Sequence, residues 1–304
     1  MRIKIIFSIM ILISKSLFGQ DVSLVSPELN KFQNIRDFCV SADGKEAYFS
    51  IQSPNQDLSQ IVCVKNKKWS KPVLASFCDK YTYLEPFLSK DGKILYFASD
   101  RPKTDTGTLK SDFDIWYVER KNIKSKWSEP INIGSQVNSE NDEFYPTLSD
   151  NNNLYFTMDS KSGLGKDDIY FCKWNETGYS KPILLDKSIN SEGYEFNAYI
   201  SNNETFLIYT RYNTKDGLGS GDLYISKKDE KGAWSIADNL GNLINTKYME
   251  YCPFYDQQNN TLYFTSRRSN LLPKQFKNTK EYQTYISEGE NGLSKIYKCK
   301  IKFE

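Results

Sequence analysis

A pattern of roughly 50 residues occurs five times along this chain, and it restricts the possible folds more than any other feature. Each copy reads as a strand, a tight polar turn, a second strand, a variable loop, a third strand and a fourth. The second strand carries Leu-Tyr-Phe or a close variant, at Ala47–Phe49, Leu95–Phe97, Leu154–Phe156, Leu207–Tyr209 and Leu262–Phe264. Units this small cannot bury their own apolar faces, so the pattern predicts a repeat architecture.

Prolines order the strands within each copy, because proline gives no backbone N–H to a ladder and is confined to sheet edges and loops. The prolines of first strands are Pro86, Pro146 and Pro253. We expect the fourth strand to begin at an aromatic residue followed by Ser, and its prolines are Pro72, Pro130 and Pro182. Strands one and four are therefore predicted to be the edges of a four-stranded antiparallel meander.

The predicted central strands are apolar on both faces, as in Ile94–Ala98, which contains only apolar and aromatic residues. A strand with this pattern belongs to a sheet that is covered on both sides. A ring of sheets gives every sheet two neighbours and leaves only short edges exposed. We therefore expect an all-β fold, a five-bladed β-propeller of four-stranded antiparallel blades, with six blades as the alternative.

Residues 1–20 read as a secretory signal peptide, with Arg2 and Lys4 before a short apolar run, Ile5–Ile13. That run is too short to span a bilayer comfortably, so we expect a periplasmic or secreted chain without an integral membrane span. Residues 21–304 are predicted to form one propeller domain. Its last copy lacks a fourth strand, and we expect the segment 22–30, which contains Val25-Ser26-Pro27, to close that blade.

The chain contains no histidine, which excludes Ser-His-Asp and Cys-His catalysis and histidine-ligated metals. The six cysteines are scattered without a Cys-x-x-Cys pair, so a zinc site is not expected; a disulfide and buried free thiols both stay open. Beyond residue 20 the numbers of acidic and basic residues nearly balance, which gives no reason to expect nucleic acid as a partner. We expect no cofactor, no metal and no catalytic residue.

The Ser-x-Asp-Gly-Lys and Leu-Tyr-Phe patterns are followed by Gly163-Leu164-Gly165 and Gly217-Leu218-Gly219, each ahead of a third-strand Asp. Together they resemble the WD40-like β-propeller repeats of the TolB type, over roughly residues 34–300. The resemblance implies a scaffold protein of a Bacteroidetes-type cell envelope. TolB-type relatives usually have six blades, whereas this chain has five copies.

The length variation lies in the loops between second and third strands, which share one face of a propeller with the connections between blades. We call this the variable-loop face. Charged residues occur near it and are the predicted binding residues: Glu143, Glu195, Glu250, Asp100, Arg101, Asp159, Arg211, Arg267 and Arg268. We expect them to converge near the channel mouth and hold a polar ligand or a partner's charged loop. The alternative is that each Glu ties its own blade to a neighbour by a salt bridge or a backbone hydrogen bond.

Two further features are open to two interpretations each. Asp114, Asp168 and Asp222 follow variable loops; capping of backbone amides is favoured over calcium binding, because no dense Asp-x-Asp-x-Asp cluster exists. The long loop Ser266–Ser294 is either a lid over the face or a solvated insertion, and the second is favoured.

These observations favour a non-catalytic binding or scaffold module of the cell envelope, with an envelope protein or a glycan as the partner. The alternatives are a carboxylate-dependent glycan-active enzyme, for which Glu143, Glu195 or Glu250 would supply the acids, and a carbohydrate-binding propeller.

Overall fold

The computed structural model describes residues 21–69, 71–103 and 112–303. The predicted signal peptide lies outside the described residues. Five antiparallel sheets of four strands each have their strands in sequential order, so first and fourth strands form the edges. The five first strands contact one another in a closed ring around the axis. The predicted five-bladed all-β propeller is confirmed.

The strand bounds follow the repeat. The first, innermost strands are Asn34–Val40, Tyr83–Leu88, Glu143–Leu148, Glu195–Ile200 and Glu250–Asp256. The second strands are Glu46–Gln52, Ile94–Ser99, Leu154–Asp159, Phe206–Tyr212 and Thr261–Ser266. The third strands are Ser59–Lys65, Asp114–Glu119, Asp167–Cys172, Gly221–Lys227 and Lys295–Lys300. The outermost strands are Val73–Leu74, Ile131–Asn132, Ile183–Leu184, Asp238–Asn239 and, for the fifth blade, Ser23–Leu24.

The fourth strands begin after the prolines expected within them, since a residue without an N–H cannot pair at that point. The preceding Ser has another role: the backbone N–H groups of Ser128 and Ser180 donate to the carbonyls of Glu119 and Lys173, 2.8 Å away in both cases. Their hydroxyls accept the N–H of the same two residues, at 3.0 and 2.9 Å. The aromatic-Ser pair therefore caps the third strand, and the expectation that the fourth strand begins there is corrected.

The fifth blade takes its outer strand from the other end of the chain. Ser23 and Leu24 pair with Lys298 and Tyr297, and the Val25 N–H donates to the carbonyl of Ile296 at 2.9 Å. The 3₁₀-helix Pro27–Lys31 follows at once, so the Ser-x-Pro motif itself is not strand. Residues from both ends of the described chain therefore share one sheet.

Glycine and aspartate together shape the loops before two third strands. Asp168 accepts the N–H groups of Leu164 and Gly165, at 2.7 and 3.0 Å. Asp222 accepts those of Leu218 and Gly219, at 2.6 and 3.3 Å. The predicted capping of backbone amides is confirmed for these two. Asp114 instead accepts the side-chain amide of Asn132 at 2.9 Å.

The Ser266–Ser294 loop contains an α-helix, Thr279–Ser287, none of whose residues is buried. Asn278 caps the helix by accepting the Glu281 N–H at 2.9 Å. The insertion is therefore an exposed helix. Within the described residues no helix is both long and apolar enough to cross a membrane. None of the six cysteines forms a disulfide, and all except Cys78 are buried.

Candidate functional site

The three recurrent glutamates are buried and hydrogen-bonded within their own blades. Glu195 accepts the N–H and the hydroxyl of Ser191, at 2.8 and 2.7 Å. Glu250 accepts the same two groups of Thr246, at 2.7 and 2.8 Å. Glu143 binds Ser139 in the same way. At most 1% of each glutamate is exposed, so the three carboxylates fix the loop before each first strand and are not brought together.

A recurrent asparagine that sequence reasoning missed completes this loop. The side chain of Asn190 accepts the N–H of Ile169 and donates to its carbonyl, at 2.8 and 2.9 Å. Asn138 and Asn245 make the same pair of bonds to Ile115 and Leu223. Each asparagine side chain thus hydrogen-bonds to the backbone of the third strand of the preceding blade, beyond the point where the short fourth strand stops pairing with it. The signal was present in the sequence as Asn-Ser/Thr-x-x-x-Glu, at Asn138–Glu143, Asn190–Glu195 and Asn245–Glu250.

Three of the predicted arginines stack on aromatic rings of third strands. The guanidinium carbons of Arg101, Arg211 and Arg268 lie 5.7, 5.0 and 4.5 Å from the ring centroids of Trp116, Tyr224 and Tyr297. Each also pairs with an acid of its blade: Asp79 at 3.0 Å, Glu195 at 3.3 Å and Glu250 at 3.4 Å. These arginines lie in different blades and strengthen the packing of each one.

The other three predicted residues lie at separate places on the same face. Asp100 accepts the N–H of Thr82 at 2.8 Å, and Asp159 is exposed opposite Asp167 in the ladder. Arg267 alone of the nine lines the cavity at the channel mouth. Binding through these residues stays a prediction.

A more concentrated site lies on the propeller axis, where each first strand contains a β-bulge. The first bulged residue has a positive φ in every blade, a conformation that non-glycine residues rarely adopt. We call these five residues the channel plug: Asp37, Glu85, Tyr145, Asn197 and Cys252. The bulge also explains three first-strand prolines, since Pro86, Pro146 and Pro253 are the second bulged residues and leave no ladder bond unmade.

The side chains of the plug bond to one another across the axis. Arg36 donates to Asp37 and, at 2.7 Å, to Glu85. Glu85 also accepts the side-chain amide of Asn197 at 3.2 Å. The thiol of Cys252 donates to Asp37 at 2.9 Å and lies 3.3 Å from the side-chain oxygen Oδ1 of Asn197.

A backbone group extends the network to a further blade, since the N–H of Tyr145 donates to Glu85 at 2.7 Å. Side chains or backbone of all five blades therefore meet in one buried polar network.

Burial determines the electrostatics of this network. It raises the pKa of Glu85 to about 7, against the opposing effect of the Arg36 guanidinium, and nearby Asp37 raises it further. It also raises the pKa of the Cys252 thiol and of the Tyr145 hydroxyl well above their usual values. Cys252 is therefore a neutral hydrogen-bonding group at neutral pH and not a reactive thiolate.

The residues immediately before the bulge form a second ring, one step nearer the variable-loop face. This mouth ring consists of Arg36, Leu84, Phe144, Phe196 and Tyr251. It surrounds a cavity of about 220 Å³, whose floor includes Glu85 and Asn197. The guanidinium carbons of Arg36 and Arg267 lie 5.1 and 5.6 Å from the ring centroid of Tyr251. The mouth thus combines apolar walls with two cations on one aromatic ring.

Sequence reasoning named only Arg267 at this mouth, because it looked for charges that recur. Residues with a structural role repeat from blade to blade, as the Asn-Ser/Thr-x-x-x-Glu loop does. On the axis, by contrast, the five equivalent positions of the repeat lie next to one another, and they carry five different side chains. The usable signal was therefore the variable pair of residues that directly follows a recurrent Glu, such as Phe144-Tyr145 or Tyr251-Cys252.

The channel contains acids but no dense ligand set. Among the described residues, no group of three His, Cys, Asp or Glu side chains is placed to hold a metal ion. Asp167, which also lines the mouth cavity, has its pKa raised to about 6 by burial and by neighbouring Asp159, Asp142 and Asp168. It adds one titrating carboxyl at the edge of the mouth.

Comparison with solved structures finds propellers of several activities. The chain is 12% identical to a protein from Agrobacterium tumefaciens assigned as a TolB, with a TM-score of 0.50; the match covers 85% of this chain and 81% of that one. An α-L-arabinofuranosidase from Podospora anserina, solved with cellotriose, matches at 10% identity and a TM-score of 0.53 over 93% and 95% of the two chains. One from Lactobacillus brevis matches at 14% and 0.51, over 85% and 88%.

No protein-family model and no curated protein matches the sequence. At these identities, the likeness to solved structures establishes the β-propeller fold and leaves the activity open.

Proposed function

We propose that the chain is a non-catalytic binding module of the cell envelope, which takes a protein partner or another polar ligand in the mouth of the variable-loop face. The observation that carries the proposal is the mouth cavity itself, with apolar walls from Leu84, Phe144 and Phe196 beside two guanidinium groups. Apolar surface with a few convergent polar groups is typical of binding sites. Export to the envelope belongs to the same proposal.

The state of the channel acids favours binding over catalysis. The carboxylate oxygens of Asp37 and Glu85 accept hydrogen bonds from Arg36, Cys252, Asn197 and the Tyr145 N–H. A general acid or base must reach the substrate with a free oxygen. Both carboxylates are instead used within the plug, where they hold the first strands together.

Site-specific photocrosslinking tests this proposal. A photoreactive phenylalanine analogue replaces Phe144 at the mouth in one variant and Ile236, 82% exposed on the outer rim, in the matched control. We expect a discrete crosslinked envelope protein from position 144 that is absent from position 236. Replacing Arg267 by Glu in the first variant should weaken that product. Equal labelling from both positions, or none from position 144, would contradict the proposal.

A second candidate function is carboxylate-dependent glycan hydrolysis, and one observation favours it. Glu85, with a pKa of about 7, shares Arg36 with a second acid, Asp37, and an acid poised near neutral pH beside another carboxylate is the pair that glycosidases use. Turnover of arabino- and gluco-oligosaccharides by the protein, lost in both Glu85→Gln and Asp37→Asn, would support this function. Absence of turnover leaves the binding proposal in place.

A further inference from the structure

A second cavity, of about 480 Å³, opens at the opposite end of the channel, among the tight turns that join first and second strands. Its lining includes turn residues of several blades, such as Ser41, Ser89, Ser149 and Asn202. None of its lining residues belongs to the mouth cavity or to the channel plug. The cavity is therefore a separate site on a separate face.

Aromatic rings form its inner wall. The ring centroid of Phe254 lies 5.5 Å from that of Tyr199 and 6.4 Å from that of Phe87, both in edge-to-face arrangements. Tyr96 and Tyr255 add further aromatic surface. An aromatic wall of this kind offers broad apolar contact to a ligand.

One polar group in this wall, the hydroxyl of Tyr199, lacks a hydrogen-bond partner among the described residues. Tyr199 is 3% exposed, and its hydroxyl makes no hydrogen bond with any part of the chain that the structure describes. The neighbouring Tyr255 differs, because its hydroxyl donates to the carbonyl of Ile301 at 3.0 Å. Unlike the hydroxyls of Tyr170 and Tyr297, that of Tyr199 is not among the fully buried unpartnered atoms of the described residues, so a molecule in the cavity can reach it.

Amides and one ion pair surround the opening. Lys90 and Asp150, from the turns of two neighbouring blades, lie 2.6 Å apart. Asn152, Asn202 and Gln258 add side-chain amides, each with both donors and an acceptor. Carboxylates at Asp150 and Asp256 lie close enough to Tyr199 to raise the pKa of its hydroxyl beyond the effect of burial.

We propose that this turn-face cavity binds a neutral saccharide unit. A sugar ring presents apolar C–H groups and hydroxyls together, which match the aromatic wall and the Tyr199 hydroxyl with its amide surroundings. A hydrocarbon would leave the hydroxyl and the amides unpaired. An anion would meet the carboxylates of Asp150 and Asp256. The site lies outside the mouth cavity, so it stands independently of the proposed partner binding.

The test is titration of the protein with neutral trisaccharides of glucose, N-acetylglucosamine, arabinose and galactose, followed by saturation-transfer NMR and calorimetry. We expect at least one trisaccharide to bind. Tyr199→Phe removes one oxygen and keeps the ring, and should weaken that binding about three- to tenfold. Tyr282→Phe, on the exposed insertion helix, is the matched control and should leave it unchanged.

A second variant blocks the opening without touching the buried wall. Asn202→Trp fills the rim from a partly exposed turn position and should abolish saccharide binding while the melting temperature stays near that of the unsubstituted protein. Three results would overturn the proposal: no trisaccharide binds, binding is equal in the protein and in Tyr199→Phe, or a lysine-rich peptide binds this cavity instead. Mouth variants at Arg267 should not alter saccharide binding, which keeps the two sites distinguishable.

Discussion

The side chains on the propeller axis are held in a conformation that their own backbones disfavour. A positive φ at a non-glycine residue costs on the order of 1–3 kcal/mol, and the channel plug has five of them. The hydrogen bonds among Arg36, Asp37 and Glu85 and the packing of the first strands offset that cost. At the scale of single residues, the axis thus combines a disfavoured backbone conformation in every blade with a different side chain in each.

Glu85 makes the stability of the protein depend on pH. Burial raises its pKa from 4.5 to about 7, so between those values the folded protein holds a proton that the unfolded chain has lost. The free energy of unfolding therefore falls as pH rises through this window and levels off above it. Urea unfolding from pH 4.5 to 8 should show that decline in the protein and a flatter profile in Glu85→Gln.

Few other groups interfere with this comparison, because the chain has no histidine. Asp167 and Lys295, with pKa values of about 6 and 8, titrate in both proteins and cancel in the difference. Parallel pH profiles for the protein and Glu85→Gln would show that the carboxyl of Glu85 is not held protonated by burial.

The repeated asparagine gives a second prediction at this scale. Asn190→Ala leaves the N–H of Ile169 without a partner and its carbonyl with only the Leu185 N–H, so we expect a loss of about 2 kcal/mol in the free energy of unfolding. Asn242→Ala, at an exposed loop position, serves as the control and should change it by less than about 0.5 kcal/mol. Similar losses of unfolding free energy in Asn190→Ala and Asn242→Ala would mean that the hydrogen bonds between Asn190 and Ile169 do not stabilise the protein.

At the scale of elements, the short strand Ser23–Leu24 completes a blade whose other strands come from the far end of the described chain. Val25 and Leu29, which follow it, are 7% and 1% exposed and pack in the core between blades five and one. Removing this segment exposes the edge of the strand Lys295–Lys300 and takes two buried side chains out of that core.

Deleting residues 21–30 should therefore lower the melting temperature by roughly 10 °C, since two buried aliphatic side chains contribute about 3–6 kcal/mol. Differential scanning calorimetry measures it. The point variant Leu29→Ala should reproduce part of the loss, while Leu272→Ala, at a residue 72% exposed, should not. If the deletion variant had the same melting temperature as the intact protein, closure of the fifth blade by this strand would be refuted.

The close contact between the fourth blade and the loop that leads into the fifth requires glycine at position 219, because a side chain there would clash. A Cβ on Gly219 would overlap the carbonyl oxygen of Tyr248 in the loop before the next blade. Gly219→Ala should therefore destabilise the protein by about 2 kcal/mol or more in urea unfolding. The control is Gly193→Ala, whose Cβ would lie 3.2 Å from the Ser191 hydroxyl and 3.9 Å from the Glu195 carboxylate, both of them side-chain atoms. Equal stability of the two variants would contradict this account of the Gly-Leu-Gly motif.

At this scale the sequence was informative because strand order follows from local rules. Leu-Tyr-Phe repeats and prolines identify central and edge strands, and five copies predict five blades. The start of the fourth strand was misplaced because its aromatic-Ser pair resembles a strand start, whereas Ser128 and Ser180 bond back to the third strand. Such a bond depends on the folded position of another strand, which spacing alone does not reveal.

At the scale of the whole molecule, the channel has two ends with different chemistry. The mouth combines aromatic and aliphatic walls with Arg36 and Arg267, and the turn-face cavity combines aromatic rings with amides. The plug of buried polar residues lies between these ends along the first strands. The proposed partner site and the proposed saccharide site therefore lie at opposite ends of the channel.

The composition of the axis was the part that sequence reasoning did not reach. The nine predicted residues were chosen because charges recur or cluster after second strands, and recurrence reflects the construction of a blade. The plug forms only when five bulges, far apart in sequence, meet across a closed ring. No local pattern encodes that meeting, although the differing residues at equivalent positions of the repeat mark where it occurs.

The measurement that tests the central claim most directly is the affinity of the crosslinked partner for the protein, for Phe144→Ala and for Ile236→Ala, by calorimetry. If the mouth is the binding site, removal of the Phe144 ring should weaken binding at least about tenfold, as loss of a central aromatic anchor does. Removal of the exposed Ile236 side chain should leave the affinity unchanged. Equal affinities for all three proteins would show that the partner binds elsewhere and would contradict the account.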